Sequence, residues 1–381
     1  MSEAKYWVWL SEALGAGARV DEIFGAFSSP RSIYEAGRTE RAVSGVFTKA
    51  KLDRLDNTKL SDAETHIEVC VKNGWKIYTP DDGDFPDDLR NLTDMPLVLY
   101  CDGDLSRIKD RLAVGVVGTR NPTCDSVAIA RQFSADMAKC GAVVVSGGAL
   151  GIDSAAHEGA LEAEGTTVCV LGCGLGTKYL MQNEPMRREI AKSGAVISEY
   201  PPLSPASVRT FPVRNRIISG LSKGVLVVEA GEKSGSLITA NAAIEQGREV
   251  FAVPGSILNS SYKGANTLIR DGATAVTCAE DILKTFEYMF PGSLDLSGNS
   301  GKLPEGEKRR GDKKAGSKKP LPADYGADAA KVYNLLSHEP LHSDEICAET
   351  NLPPSKVMGI LTQLELDGFA EQTEGKNYIL A

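Results

Sequence analysis

Ala113-Val-Gly-Val-Val-Gly-Thr-Arg-Asn-Pro122, Ala142-Val-Val-Val-Ser-Gly-Gly-Ala-Leu-Gly-Ile-Asp153 and Val168-Cys-Val-Leu-Gly-Cys-Gly-Leu-Gly176 share one pattern: a short apolar run, a glycine-rich turn, then a helical stretch. The alternation continues through residues 195–198, through 225–228 before Glu229-Ala-Gly231, and through 249–253 before Pro254-Gly255. Short valine-rich runs bounded by such turns read as strands. Strands that alternate with helices predict an α/β fold, a doubly wound parallel sheet covered on both faces. Ligands of such sheets bind outside the carboxyl ends of the strands, where these glycine-rich turns gather.

Away from this core the composition changes. Residues 291–322, Pro-Gly-Ser-Leu-Asp through Lys-Lys-Pro-Leu-Pro, are rich in Gly, Pro, Ser and Lys and read as a flexible basic linker. Upstream, Trp7, Leu10 and Leu14, then Ile23, Phe24 and Phe27, then Ile33 and Tyr34 recur at helical spacing and predict a small helical module over residues 1–68. Downstream, Ala327 to Leu336 is amphipathic, Ser343 caps a second short helix through Glu349, and Pro353-Pro354 open a third through Leu366. The tail from Phe369 to Leu380 reads as a hairpin turning at Glu374-Gly375. Three helices and a hairpin make a winged-helix pattern over residues 323–381, which leaves 69–290 for the sheet domain.

At 381 residues, 42% hydrophobic and 24% charged, the chain is long enough for two or three domains and apolar enough to bury their cores. A formal charge of −9 argues on its face against a nucleic-acid partner. By region, however, the net charge is −6 over residues 1–110, zero over 111–290, +4 over 291–322 and −7 over 323–381. The acidity belongs to the ends, while the central domain keeps Arg120, Arg214, Arg216 and Lys233 beside its glycine-rich turns. The third helix of the tail offers Lys356 followed by Gln363, Glu365 and Asp367, whereas a DNA-reading helix brings Arg or Lys to the phosphates. The tail therefore reads as a protein-contact or regulatory element. The eight cysteines contain no C-x-x-C pair and sit mostly in apolar runs, and the chain starts without a signal-peptide pattern, so a reducing, cytoplasmic location is expected. No apolar stretch approaches the roughly 18 residues of a membrane span, and no membrane partner is expected.

Gly118-Thr-Arg-Asn-Pro122 follows a strand and precedes a helix. Its N–H groups and the helix dipole predict an anion seat to which Arg120 adds a forked donor. The plainer reading is a βα turn with Arg120 in solvent; Ser146-Gly-Gly-Ala149, ending the next strand, favours the seat. Gly172-Cys-Gly-Leu-Gly176 has Thr177 where a dinucleotide fingerprint needs its third glycine, and Gly231-Glu-Lys-Ser-Gly-Ser236 lacks P-loop order. Asp153 and His157, four residues apart on one helix face, form either an acid/base pair or, more simply, a helix cap and its satisfied neighbour. The other histidines lie outside the central domain and metal-ligand spacing is absent, so neither metal nor cofactor is expected. Phe211-Pro-Val-Arg-Asn-Arg216 packs a ring, a rigid turn and two guanidiniums just before a helix, which suits holding a nucleic-acid strand by phosphate contacts and base stacking. Alternatively its arginines pair with acids such as Glu199 or Glu229. Lys233-Ser-Gly-Ser236 offers a further anion seat.

Six segments together carry a resemblance. Gly118-Thr-Arg-x-Pro, Val144-Val-Ser-Gly-Gly-Ala-x-Gly-Ile-Asp-x-x-Ala-His157, Ile197-Ser-Glu-Tyr-Pro-Pro202, Phe211-Pro-x-Arg-Asn-Arg-Ile-Ile218, Ser234-Gly-Ser-Leu-Ile-Thr-Ala240 and Gly247-Arg-Glu-Val-Phe-Ala-Val-Pro-Gly255 resemble, in the same order, the DprA/Smf family of bacterial DNA-processing proteins. The match spans roughly residues 70 to 285. Residues 1–68 resemble the sterile-alpha-motif or helix-hairpin-helix module of some members, and 323–381 their winged-helix tail. The resemblance implies an extended Rossmann core that dimerises, binds single-stranded DNA in a positive pocket without being an enzyme, and helps load the recombinase RecA in natural transformation. By motif, the pocket comprises Gly118, Thr119, Arg120, Ser146, Gly147, Phe211, Arg214, Asn215, Lys233, Ser234, Gly235 and Ser236. Arg120 and Arg214 are expected on phosphates, and Phe211 against a base. Leu150 stands where the family usually has Arg, which removes a cation from the pocket, and Leu180 stands where a Pro commonly follows the tyrosine matched by Tyr179. The rival expectation from another class is a nucleotide-processing enzyme with Asp153 or Glu199 as acid/base; the Pro-Gly-Gly-x-Gly-Thr signature of the related phosphoribohydrolases is missing.

Overall fold

A computed structural model describes residues 3–294, 325–337, 341–350, 352–367, 369–373 and 377–380. Most of the expected linker, residues 295–322, and the turn at Glu374-Gly375 lie outside the described residues. The chain divides into two compact units, Met1–Gly306 and Glu307–Ala381.

In the first unit nine strands form one sheet. They are β1 (Lys76–Tyr78), β2 (Leu99–Gly103), β3 (Ala113–Val117), β4 (Val143–Ser146), β5 (Thr167–Leu171), β6 (Ala195–Ser198), β7 (Gly224–Val227), β8 (Glu249–Ala252) and β9 (Thr274–Ala275). Their order is β1-β2-β6-β5-β4-β3-β7-β8-β9. Every neighbouring pair from β6 to β9 is parallel, while β2 runs antiparallel to both β1 and β6. The six runs read as strands are all present, each end within one residue of its expected place. The doubly wound sheet is thus confirmed, with an antiparallel extension that the glycine-turn pattern does not announce.

Successive side chains of a strand point to opposite faces, and here both faces are dry. Val143 and Val145 pack with Ile217, Ile218 and Leu221 of helix Thr210–Leu221 and Ala240 and Ala243 of helix Ser236–Glu245. Val144 packs the other way, with Phe133 and Met137 of helix Cys124–Lys139 and Ala155 and Ala156 of helix Ile152–Glu162. These last two helices touch so closely that a Cβ on Gly159 would lie 2.1 Å from the Arg131 carbonyl oxygen. Gly159→Ala is expected to lose about 2 kcal/mol in urea unfolding, the usual cost of overpacking; an unchanged midpoint would refute the close contact.

Six helices, Ala4–Leu14, Asp21–Ala26, Pro30–Glu35, Arg38–Val43, Lys49–Asn57 and Leu60–Asn73, occupy the N-terminal region. Their core of Trp7, Trp9, Leu10, Ile23, Ile33, Leu52 and Leu55 is continuous with Leu97, Val98 and Tyr100 at the sheet's antiparallel edge. Trp7 Nε1 donates to Asp81 at 2.7 Å, and the Gly17 N–H to Glu199 at 3.5 Å.

The second unit has helices Gly326–Leu335, Ser343–Thr350 and Pro354–Leu366 and a three-stranded antiparallel sheet of β10 (Leu341–His342), β11 (Ala370–Thr373) and β12 (Asn377–Leu380), ordered β10-β12-β11. It is the expected winged helix, with β10 added. Val332, Ile346, Val357, Leu361 and Tyr378 fill its core. Lys356 is held by Asp328 at 2.5 Å, and Lys331 approaches the same carboxylate at 3.6 Å.

Candidate functional site

β3 and β7 are parallel neighbours whose crossovers lead to opposite sides, one to β4 and the other to β8. Such a switch point leaves a crevice at the carboxyl ends, because the two following helices diverge. A cavity of about 440 Å³ opens there, lined by the turn after β3, by Ala149 and Asp153 after β4, by Val208, Phe211, Arg214 and Asn215, and by the turn after β7.

Nine of the twelve expected residues line it: Gly118, Thr119, Arg120, Phe211, Arg214, Asn215, Ser234, Gly235 and Ser236. Ser146 and Gly147 lie beneath, and Lys233 is an exposed residue outside the lining. Ser146 is buried with its hydroxyl donating to the Val116 carbonyl at 2.6 Å. Gly147 makes room: a Cβ there would sit 2.6 Å from Arg214 Nη2 and 2.7 Å from Asp153 Oδ2.

Phe211-Pro-Val-Arg-Asn-Arg216 lies inside helix Thr210–Leu221 rather than before it, since Pro212 falls in the first turn, where its missing N–H has no helical partner to lose. Residues two apart on a helix face nearly opposite ways. Arg214 turns to the cavity floor, where Nη1 donates to the Gly147 carbonyl at 2.7 Å and to that of Val170, and Nε donates to Asn215 Oδ1 at 3.2 Å. Its Nη2 has no protein hydrogen-bond partner among the described residues. Asn215 Nδ2 donates on to the Gly235 carbonyl at 3.4 Å, tying the floor to the turn after β7. Arg216 turns away, to Glu199 at 2.6 Å and Asp94 at 3.2 Å, as the ion-pair alternative anticipates.

Arg120 is exposed, makes no ion pair among the described residues, and rests over the Phe211 ring at 5.2 Å. The anion seat expected from the helix after residue 122 is occupied internally. Glu229 Oε2 accepts the Thr123 N–H at 2.9 Å and its hydroxyl at 3.0 Å, while the Thr119 N–H goes to the Glu229 carbonyl at 2.8 Å. Burial raises the Glu229 pKa, but hydrogen bonds from Ser126, Thr123 and Ser261 outweigh it and hold the carboxyl below its ordinary range. The turn after β7 differs: helix Ser236–Glu245 has Gly235 at its N-cap and no acid in its first turn, and its Ser236 N–H is met by the Ser234 hydroxyl at 3.4 Å.

Asp153 is buried beside Arg214. Burial pushes its carboxyl above the ordinary range, opposed by the guanidinium. It accepts the Ala149 N–H at 3.3 Å, and Gly151, not Asp153, is the N-cap residue. His157 Nδ1 pairs with Thr167 Oγ1 at 2.8 Å, so the two do not form an acid/base couple. Glu199 lies in a separate cavity with Glu12 and His66, apart from Asp153. Among the described residues no cluster is placed to hold a metal, and no helix is long and apolar enough to cross a membrane. Burial pushes the thiols of Cys101 and Cys169 up to about 12, which makes both inert. Val208 and Ile238, which sequence reasoning missed, also line the cavity. Val208 could have been found by its position, alone between Ser207 and Arg209 outside any apolar run, whereas Ile238 follows Leu237 in a helix and carries no such signal.

A family model of DNA recombination-mediator protein A matches residues 76–287, and a DprA winged helix domain model matches 316–376. Protein Smf of Synechocystis sp. is 37% identical over 330 residues, 82% of each chain. The X-ray structure of DNA processing protein A from Streptococcus pneumoniae superposes with a TM-score of 0.64 at 32% identity, covering 74% of this chain and 97% of that one. DNA processing protein A from Helicobacter pylori, solved for its single-stranded DNA binding mode, superposes with a TM-score of 0.51 at 32% identity, covering 56% and 97%.

Proposed function

The chain belongs to the DNA recombination-mediator protein A family, and from that membership we propose that it binds single-stranded DNA in the cavity at the β3–β7 switch point. The observation that carries this reading is the pairing of Arg120, which makes no ion pair among the described residues, with the free Nη2 of Arg214 beside the turn after β7, whose helix has no acid in its first turn. Two guanidiniums against one buried carboxylate leave the cavity with an excess of positive charge, so a neutral domain presents a cationic pocket. Arg120 supplies an exposed phosphate contact and Arg214 a fixed one, while the Ser234 and Ser236 hydroxyls, paired with each other at 2.8 Å, leave one proton between them to donate.

The proposed action is binding rather than chemistry: protecting a strand and helping to load the recombinase RecA during natural transformation, as a homodimer in the cytoplasm. The organisation that serves it is a helical module over 1–68, the DNA-binding core over 69–290, a basic linker over 291–322 and a winged helix over 323–381. That last unit is assigned to protein contact or regulation, because Lys331 and Lys356 both face Asp328.

Titration of the full chain with single- and double-stranded oligonucleotides, ATP and NAD at two salt concentrations tests the reading. Arg120→Ala is expected to weaken single-strand binding about tenfold and to reduce the slope of log affinity against log salt by about 0.7. Binding that is absent, indifferent to salt, or stronger for ATP or NAD would sink the proposal.

A further inference from the structure

We propose that Glu229, which does not line the cavity, is the positioning residue for Arg120: it suspends the loop that carries this guanidinium from the end of β7 and so sets the phosphate contact. This rests on the DNA reading of the cavity. The loop runs from Thr119 to Thr123, and Glu229 holds it at both ends. At one end the Glu229 carbonyl accepts the Thr119 N–H at 2.8 Å, while the Thr119 carbonyl accepts the Ile152 N–H at 3.2 Å. At the other end one oxygen of the Glu229 carboxylate accepts the Thr123 N–H at 2.9 Å and the Thr123 hydroxyl at 3.0 Å. Only Arg120, Asn121 and Pro122 lie between these anchors, and the Asn121 N–H turns inward to Thr119 Oγ1 at 3.3 Å. A span so short, fixed at both ends, keeps little backbone freedom, so the direction in which Arg120 leaves it follows from where Glu229 stands.

The place is otherwise an unfavourable one for a carboxylate. Glu229 is fully buried and makes no ion pair among the described residues. An unpaired buried charge is costly, and a negative charge behind a phosphate-binding loop works against a polyanion. Its surroundings are hydroxyls instead of cations: Thr123 Oγ1 lies 3.1 Å from Ser126 Oγ, which lies 2.6 Å from the Tyr262 hydroxyl. Tyr262 is itself seated against Gly255, where a Cβ would fall 2.0 Å from the ring's Cδ1, so the segment after β8 backs the same cluster. Reach, not charge, is what the position needs: one oxygen placed where it meets both donors of Thr123.

Two substitutions separate reach from charge. Glu229→Gln removes the charge and keeps the length, whereas Glu229→Asp keeps the charge and is one methylene too short for Thr123. Each is made in the full chain, alone and together with Arg120→Ala, and titrated with a thymidine oligonucleotide over a range of salt, with urea unfolding to verify the fold. Glu229→Asp is expected to bind about fivefold more weakly, with the slope of log affinity against log salt reduced by about 0.7, and to cause no further loss once Arg120 is gone. Glu229→Gln is expected to stay within about twofold of the unaltered chain, with its slope unchanged. Tighter binding by Glu229→Gln would show that the carboxylate acts through its charge, and a Glu229→Asp loss that persists without Arg120 would show that it acts elsewhere. Either result, or normal binding by Glu229→Asp, overturns the proposal. Should Glu229→Asp not fold, Glu229→Gln decides alone, retention supporting the proposal and tightening overturning it. If the unaltered chain binds no strand, the DNA reading itself fails, an outcome distinct from all of these.

Discussion

Arg214→Met is expected to weaken single-strand binding about a hundredfold or more and to destabilise the first unit by about 3–5 kcal/mol. Arg214 is 4% exposed, and its three side-chain hydrogen bonds hold the cavity floor, to the carbonyls of Gly147 and Val170 and to Asn215. Burial lowers its pKa and Asp153 opposes that shift. Methionine keeps the apolar stem but leaves two carbonyls and a buried carboxylate without their cation. The double variant Arg214→Met/Asp153→Asn separates the two effects. It should recover part of the lost stability, because no uncompensated charge remains, while single-strand binding stays lost. Chemical unfolding and oligonucleotide titration of both proteins check this, and near-normal binding by Arg214→Met would remove Arg214 from the site.

The second large effect is a dependence on acid that runs through His157. Thr167 Oγ1 spends its proton on the Val144 carbonyl at 2.7 Å, so it can only accept from His157 Nδ1, and Nε2 is left as a buried bare acceptor. Burial, reinforced by Arg214, pulls the His157 pKa down to about 3. The unfolded chain therefore binds a proton near pH 6.5 that the folded chain refuses, and stability falls by about 1.4 kcal/mol per pH unit on acidification between these values. His157→Asn, which preserves the contact to Thr167, should flatten that limb relative to the unaltered chain; coincident limbs would show that His157 is not its source. His66 acts in the opposite sense. Its hydrogen bond to Glu12 at 2.6 Å raises its pKa, so its contribution is complete below about pH 6.5 and is lost as pH rises through the raised folded value.

Much of the fold was legible because parallel strands buried on both faces must be almost wholly apolar, and β3 to β8 announce themselves that way. β1 and β9, of three and two residues, are too short to carry a pattern, and β2 begins inside the apolar run Leu97-Val-Leu-Tyr-Cys101 but ends on Asp102-Gly103 and is followed by a short 3-10 turn rather than a crossover helix. In the site, the glycine-rich turns were legible and the side-chain directions were not. Nothing in Phe211-Pro-Val-Arg-Asn-Arg216 says that a helix starts at Thr210, yet that start sends Arg214 to the cavity and Arg216 to Glu199. Likewise the sequence around Gly118 contains no sign that Glu229, more than a hundred residues later, closes the helix N-terminus beside it.

The place of β7 in the sheet has a consequence for vectorial synthesis. A chain that has left the ribosome only as far as Leu221 holds β3 to β6 and can assemble that half of the sheet, with one flank of β3 still bare. The far wall of the cavity, from Ser234 to Thr239, does not yet exist, and Asn215 has no Gly235 carbonyl to reach. The cavity proposed to take DNA is thus withheld from nascent fragments and is complete only once the turn and helix that follow β7 have joined it.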